Sequence, residues 1–113
     1  MRSLLLAAAL LAAAGTAPVS TPDASAPGPI RVRWLGHAAF EVVSPGGTRL
    51  LLDPWLVENP STPAAYRDTT YWMRPEHRPA AILATHPHSD HDADVPLLAR
   101  VTGAKVVAVG DHI

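Results

Sequence analysis

Thr85-His86-Pro87-His88-Ser89-Asp90-His91 sets three imidazoles and a carboxylate within six residues, directly behind the apolar run Ala80-Ala81-Ile82-Leu83-Ala84. Imidazole and carboxylate form the ligand set of Zn²⁺ and of its neighbours Mn²⁺ and Fe²⁺. His86 and His88 stand two apart, so on an extended backbone both leave the same face and can converge on one cation. Asp90 and His91 are adjacent and diverge unless the chain turns, which suits a second cation beside the first. Two ions roughly 3.5–4 Å apart can clamp the attacking and the leaving oxygen of a hydrolysis. The plain alternative is a solvated histidine-rich loop. Such a loop has no need to follow a buried strand or to space its donors so tightly.

Downstream, Asp94 is placed to cap a helix that starts at Val95 and tolerates Pro96 in its first turn. Val95, Leu98 and Val101 repeat at helical spacing, and Gly103 supplies the stop. Lys105 to Val109 then reads as a short buried strand. Strand, ligand loop, helix and strand make a βαβ unit, with the ligands at the carboxyl end of its first strand. That is where open α/β sheets place their sites. Asp111 and His112 are further candidate donors, weighed against a plain exposed terminus.

Upstream, Arg31 to Leu35 alternates as a strand with Val32 and Trp34 on one face. Gly36-His37 interrupts it and Ala39 to Val43 resumes. Ser44-Pro45-Gly46-Gly47 is a turn, and Thr48 to Leu52 returns as the second arm of a hairpin. Asp53-Pro54 ends that strand, because proline cannot donate to a ladder. A buried carboxylate at Asp53 can orient a ligand histidine by accepting its second N–H; the simpler reading is a turn-initiating aspartate. Trp55 to Pro79, broken by Pro60, Pro63 and Pro75, reads as a long loop. Its Trp55, Tyr66, Tyr71 and Trp72 are expected either to wall a pocket or to pack on the sheet. His77 is expected to be solvated.

The ends and the composition narrow the class. Met1-Arg2-Ser3 followed by Leu4 to Ala14 reads as an export signal, too short to span a bilayer, with small residues behind it. Residues 1–26 are therefore expected to be signal peptide and the start of a Pro/Ser/Ala linker, residues 27–113 the folded domain, and the protein secreted or periplasmic. The chain has no cysteine, which removes disulfides, thiolate ligands and a cysteine nucleophile. Its formal net charge is −1 and it has no lysine/arginine run, so nucleic acid is not an expected partner.

The His-x-His-x-Asp-His pattern behind an apolar strand, with Trp34-Leu35-Gly36-His37-Ala38-Ala39-Phe40 and Leu51-Leu52-Asp53-Pro54-Trp55, resembles the metallo-β-lactamase superfamily. Within it the match is to the branch of metal-dependent hydrolases holding ascorbate-6-phosphate lactonase-like proteins and N-acyl-phosphatidylethanolamine phospholipase D. The resemblance spans about Ile30 to Val109. It implies an α/β fold, the N-terminal half of an αβ/βα sandwich in which hairpin strands precede a βαβ unit. The other half would cover one sheet face and bring the remaining ligands, or a homo-oligomer would. It also implies two divalent metals, zinc with manganese or iron as alternatives. His86 and His88 would hold one ion, Asp90 and His91 the other, and Asp90 would serve as the catalytic carboxylate. A hydroxide bridging the ions would attack a lactone, ester, amide or phosphodiester of a small-molecule substrate. His37 would lie near the centre, touching substrate or supporting a ligand, although alone it reads equally as a turn histidine. With two donors per ion in this chain, these residues alone are expected to be inactive, and the alternatives are a non-catalytic metal-binding half-domain or a decayed remnant.

Overall fold

The hairpin sequence and the apolar run meet in a single sheet. The computed structural model of the protein describes residues 28–110; the expected leader over 1–26 and the candidates Asp111 and His112 lie outside them. Strands β1 (Arg31–Gly36), β2 (Ala39–Val43) and β3 (Arg49–Leu52) are followed by helices α1 (Ala64–Arg67) and α2 (Thr69–Met73) and by β4 (Ala81–Ala84). Short α3 (Ser89–Asp92), α4 (Val95–Thr102) and β5 (Lys105–Ala108) complete the order. The strands lie in the sheet in chain order. β1, β2 and β3 pair antiparallel, while β3–β4 and β4–β5 are parallel. This is the mixed α/β architecture expected.

The sheet has one covered and one open face. Leu35, Leu51, Leu56, Trp72, Ile82 and Leu98 are fully buried together, each burial stabilising by roughly 1.5–3 kcal/mol. The apolar stripe of α4 falls on Val95, Leu98 and Thr102, with Val101 half-buried beside it. Thr102 fits inside because its hydroxyl donates to the Leu98 carbonyl at 2.6 Å. Gly103 ends the helix in the left-handed conformation at φ 73°, its amide donating to Ala99 O. On the opposite face Val32 and Trp34 are 64% and 59% exposed, and Val107 is 57% exposed. Nothing among the described residues packs over them.

Four expectations change. Strand β5 is exposed along its length rather than buried, because it is the sheet's edge and little among the described residues covers it. Asp94 does not cap α4; its carboxylate is turned back to accept the amides of Leu56 and Val57 at 2.6 and 2.8 Å. The stretch after Trp55 is not one long loop, since α1 and α2 form within it and Trp72 goes into the core with its indole N–H on Tyr66 O. His77 is not simply solvated: it stacks on Tyr71 at 3.9 Å between ring centroids. No helix among the described residues is long and apolar enough to cross a membrane.

Candidate metal centre

Three chain segments end at the same edge of the sheet: the β1–β2 break, the carboxyl end of β3 and the carboxyl end of β4. The β1–β2 break is a forced geometry. Gly36 adopts φ 109°, and a Cβ there would sit 2.9 Å from the backbone of Ser61 and Thr62. His37 follows at φ 49°, an uncommon conformation for a side-chain-bearing residue, with its carbonyl accepting the Trp34 indole N–H at 2.8 Å. The ring is thereby aimed at the ligand loop, edge-on to Trp55 at 5.7 Å and to His91 at 5.3 Å. Its Nε2 lies 3.0 Å from Asp90 Oδ2.

At the end of β3, Asp53 also turns left-handed, at φ 43°. Its amide donates to Leu83 O at 2.8 Å, fastening β3 to the end of β4, and its side chain is buried. The carboxylate receives three donors. The Thr85 amide reaches Oδ1 at 2.7 Å, the Thr85 hydroxyl reaches Oδ2 at 2.7 Å, and His91 Nδ1 lies 3.1 Å from Oδ2. Burial pushes the Asp53 carboxyl upward, but these hydrogen bonds outweigh it and hold the group below its ordinary value.

These contacts determine which ring nitrogens are free. A threonine hydroxyl has one proton, and that of Thr85 is given to Asp53. At 3.0 Å from His86 Nδ1 the same oxygen can then only accept, which puts a proton on Nδ1 and leaves the Nε2 lone pair of His86 open. A carboxylate likewise only accepts, so His91 carries its proton on Nδ1 and presents Nε2 outward. One buried carboxylate thus sets two imidazoles in the tautomer a metal ligand needs, one directly and one through Thr85.

The ligand loop itself turns where adjacency required it. After His88 the chain enters α3, with the amides of His91 and Asp92 both donating to His88 O. The turn brings Asp90 Oδ2 within 3.9 Å of His91 Nε2. His86 lies 4.6 Å from His88 and 4.0 Å from His91 between ring centroids. His37, Asp90 and His91 each offer a ligand atom, all within 4.8 Å of one another. His91 therefore stands between the two groups rather than on one side with Asp90 alone. Burial pushes the Asp90 carboxyl up, while its own amide and the neighbouring His37 and His91 bring it below the ordinary range. Imidazoles and a carboxylate at these separations are a donor set that fits a divalent cation.

Of the loop aromatics, only Trp55 reaches this centre; Tyr66, Tyr71 and Trp72 pack among themselves away from it. Thr85 was not singled out by sequence reading. Its signal was position: a hydroxyl residue between the strand and the first histidine, able to meet a carboxylate from the adjacent strand.

Comparison with known proteins covers the same span. The family model described as beta-lactamase superfamily domain matches residues 31–111. A protein of Cupriavidus taiwanensis named UPF0173 metal-dependent hydrolase is 38% identical over 107 residues, 86% of this chain and 36% of the relative. One of the same name from Thermococcus onnurineus is 46% identical over 83 residues, 73% of this chain and 32% of the relative. The structure of Igni18, a metallo hydrolase from Ignicoccus hospitalis, is similar with a TM-score of 0.58 and 28% identity, covering 68% of this chain and 30% of that one. The chain spans about a third of the length of these relatives.

Proposed function

This chain belongs to the beta-lactamase superfamily, and from that premise we propose that it forms part of the centre of a metal-dependent hydrolase holding two divalent cations. His86, His88 and His91 supply imidazole donors and Asp90 a carboxylate, with the remaining donors coming from outside the described residues or from a second chain. Such cations, zinc foremost with manganese and iron as alternatives, would supply Lewis acidity for cleaving an ester, lactone, amide or phosphodiester of a small molecule. The branch read from the sequence, lactonase-like or phospholipase D-like, belongs to the same proposal. So does the secreted or periplasmic setting implied by residues 1–26.

The chain's own residues then divide the work. Asp53 and Thr85 hold His86 and His91 with Nε2 outward. Asp90 is half open to solvent, so its Oδ2 can accept a proton from a water at the centre. His37 holds that same oxygen at 3.0 Å and so fixes where the proton is received. Trp55 stands against His37 and limits water on that side.

The observation that carries this reading is the pair of imidazoles locked in the ligand tautomer by a single buried carboxylate. The test is zinc titration of the chelator-treated chain by calorimetry, beside hydrolysis of a lactone and a phosphodiester. Saturable binding of about two ions, reduced in His88→Ala together with any turnover, is the expected result. Absence of saturable zinc binding, or binding indifferent to His88→Ala, overturns the proposal. Zinc binding without turnover in any assembly state would favour a non-catalytic metal-binding domain.

A further inference from the structure

A second concentration of charge lies away from the metal loop, on the covered side of β1, β2 and β3. There a cavity of about 420 Å³ is lined by Arg31, Arg33, Arg49, Glu41, Tyr71 and His77 among others. Glu41 is buried to 2% exposure and paired with both Arg33, at 3.1 Å, and Arg49. Arg49 also donates to the Glu76 carbonyl at 2.9 Å, and Arg33 lies over the Tyr66 ring at 5.3 Å. Both guanidiniums are therefore held in place before any ligand arrives.

The charges do not balance. Three guanidiniums face one carboxylate, leaving a formal excess of two positive charges (3 − 1) in a chain whose overall net charge is −1. The Arg31 side chain has no ion-pair or hydrogen-bond partner among the described residues, and the residue is exposed. Arg33 is half open, with its side chain 49% exposed. A guanidinium carries five N–H donors in a fork that fits an oxyanion bidentately, and one carboxylate has too few lone pairs to satisfy three of them. Val43 and Tyr71 add apolar wall. The volume is that of a small-molecule pocket.

We propose that this cavity is a binding site for a small organic oxyanion, a carboxylate or phosphate group on a compact apolar body, separate from the metal centre. Arg31 and the open edge of Arg33 grip the oxyanion, while Glu41 and Arg49 keep Arg33 aligned. The separation follows from the strand. Arg49 opens β3 and Asp53 follows its end, four residues on, a span of about 13 Å at strand rise. An occupant of the cavity therefore does not reach the imidazoles of the metal loop; it binds as an effector or second ligand.

The test is calorimetric titration of the full chain at low salt with phenyl phosphate and with benzoate, each beside Arg31→Ala and His88→Ala. Arg31 is exposed and outside the core, so Arg31→Ala keeps the circular dichroism of the parent. The expected result is one saturable site for at least one probe, weakened about tenfold by Arg31→Ala and unchanged in His88→Ala, the loss being that of a charge-assisted contact. Tight binding of phenyl phosphate alone identifies a phosphate site, and of benzoate alone a carboxylate site. No saturable binding, equal affinity in Arg31→Ala, or loss in His88→Ala overturns it.

Discussion

Of the carboxylates buried among the described residues, Glu41 on β2 and Asp53 at the end of β3 are treated in opposite ways. Glu41, with its side chain 2% exposed, is neutralised by the cations Arg33 and Arg49. Asp53, at 5%, is surrounded by the amide and hydroxyl of Thr85 and by the ring of His91. Arginines use up a carboxylate's charge locally, so Glu41 serves the fold and the preorganisation of its neighbours. Neutral donors leave the charge in place to polarise what it touches, so Asp53 acts on imidazoles. What a buried acid does to its surroundings is thus decided by its partners and not by depth.

That contrast can be broken at the structural end first. Glu41→Ala leaves Arg49 nearly enclosed without its counter-ion and is expected to cost about 3 kcal/mol, read as a lower urea midpoint. Metal affinity per folded molecule should be unaffected. Asp53→Asn should do the reverse. Zinc affinity, measured by chelator competition, should fall 10–100-fold, with a stability loss of about 1–2 kcal/mol. If the two variants lose stability and affinity in the same proportion, the distinction between them is wrong.

Thr85→Val sharpens the comparison by removing only the relay. It leaves His91 on Asp53 and frees the His86 ring to change tautomer, so zinc should bind roughly tenfold more weakly. A drop as large as that of Asp53→Asn would mean His86 matters more than His91. The smallest effect is expected in acid. The folded Asp53 carboxyl is held below its ordinary 3.8, so the stability it lends is present above that value and is lost as pH falls through the folded one. The metal-free chain should lose stability below about pH 4, and Asp53→Asn should flatten that part of the curve. Asp68 and Asp90 are also held low, but in the open, and contribute less.

Most of the fold could be read before the structure because it is written in short-range patterns. The hairpin turn at Ser44-Pro45-Gly46-Gly47, the apolar run ending at Ala84 and the Gly103 stop each depend on neighbours in sequence. The helices after Trp55 were hidden by prolines. The local rule for a residue before a helix points Asp94 at the cap of α4, but its carboxylate answers instead to a long-range partner, the amides of Leu56 and Val57. The exposure of β5 was beyond reach for a related reason: an apolar strand reads the same at an edge as at a centre. At the candidate centre the residues proposed as ligands form a motif in the sequence. The Thr85 relay and the convergence of His37 with Asp90 join residues 32 and 53 positions apart, distances that no periodicity encodes.

His37 and Asp53 are the non-glycine residues that the described backbone holds at positive φ. Each such twist costs roughly 1–2 kcal/mol relative to an ordinary conformation, and glycine would relieve it. A search for hardier variants would therefore be drawn to these two positions, the same two that shape the proposed metal centre. Where the backbone is least comfortable is also where a replacement that improves melting temperature should be distrusted most.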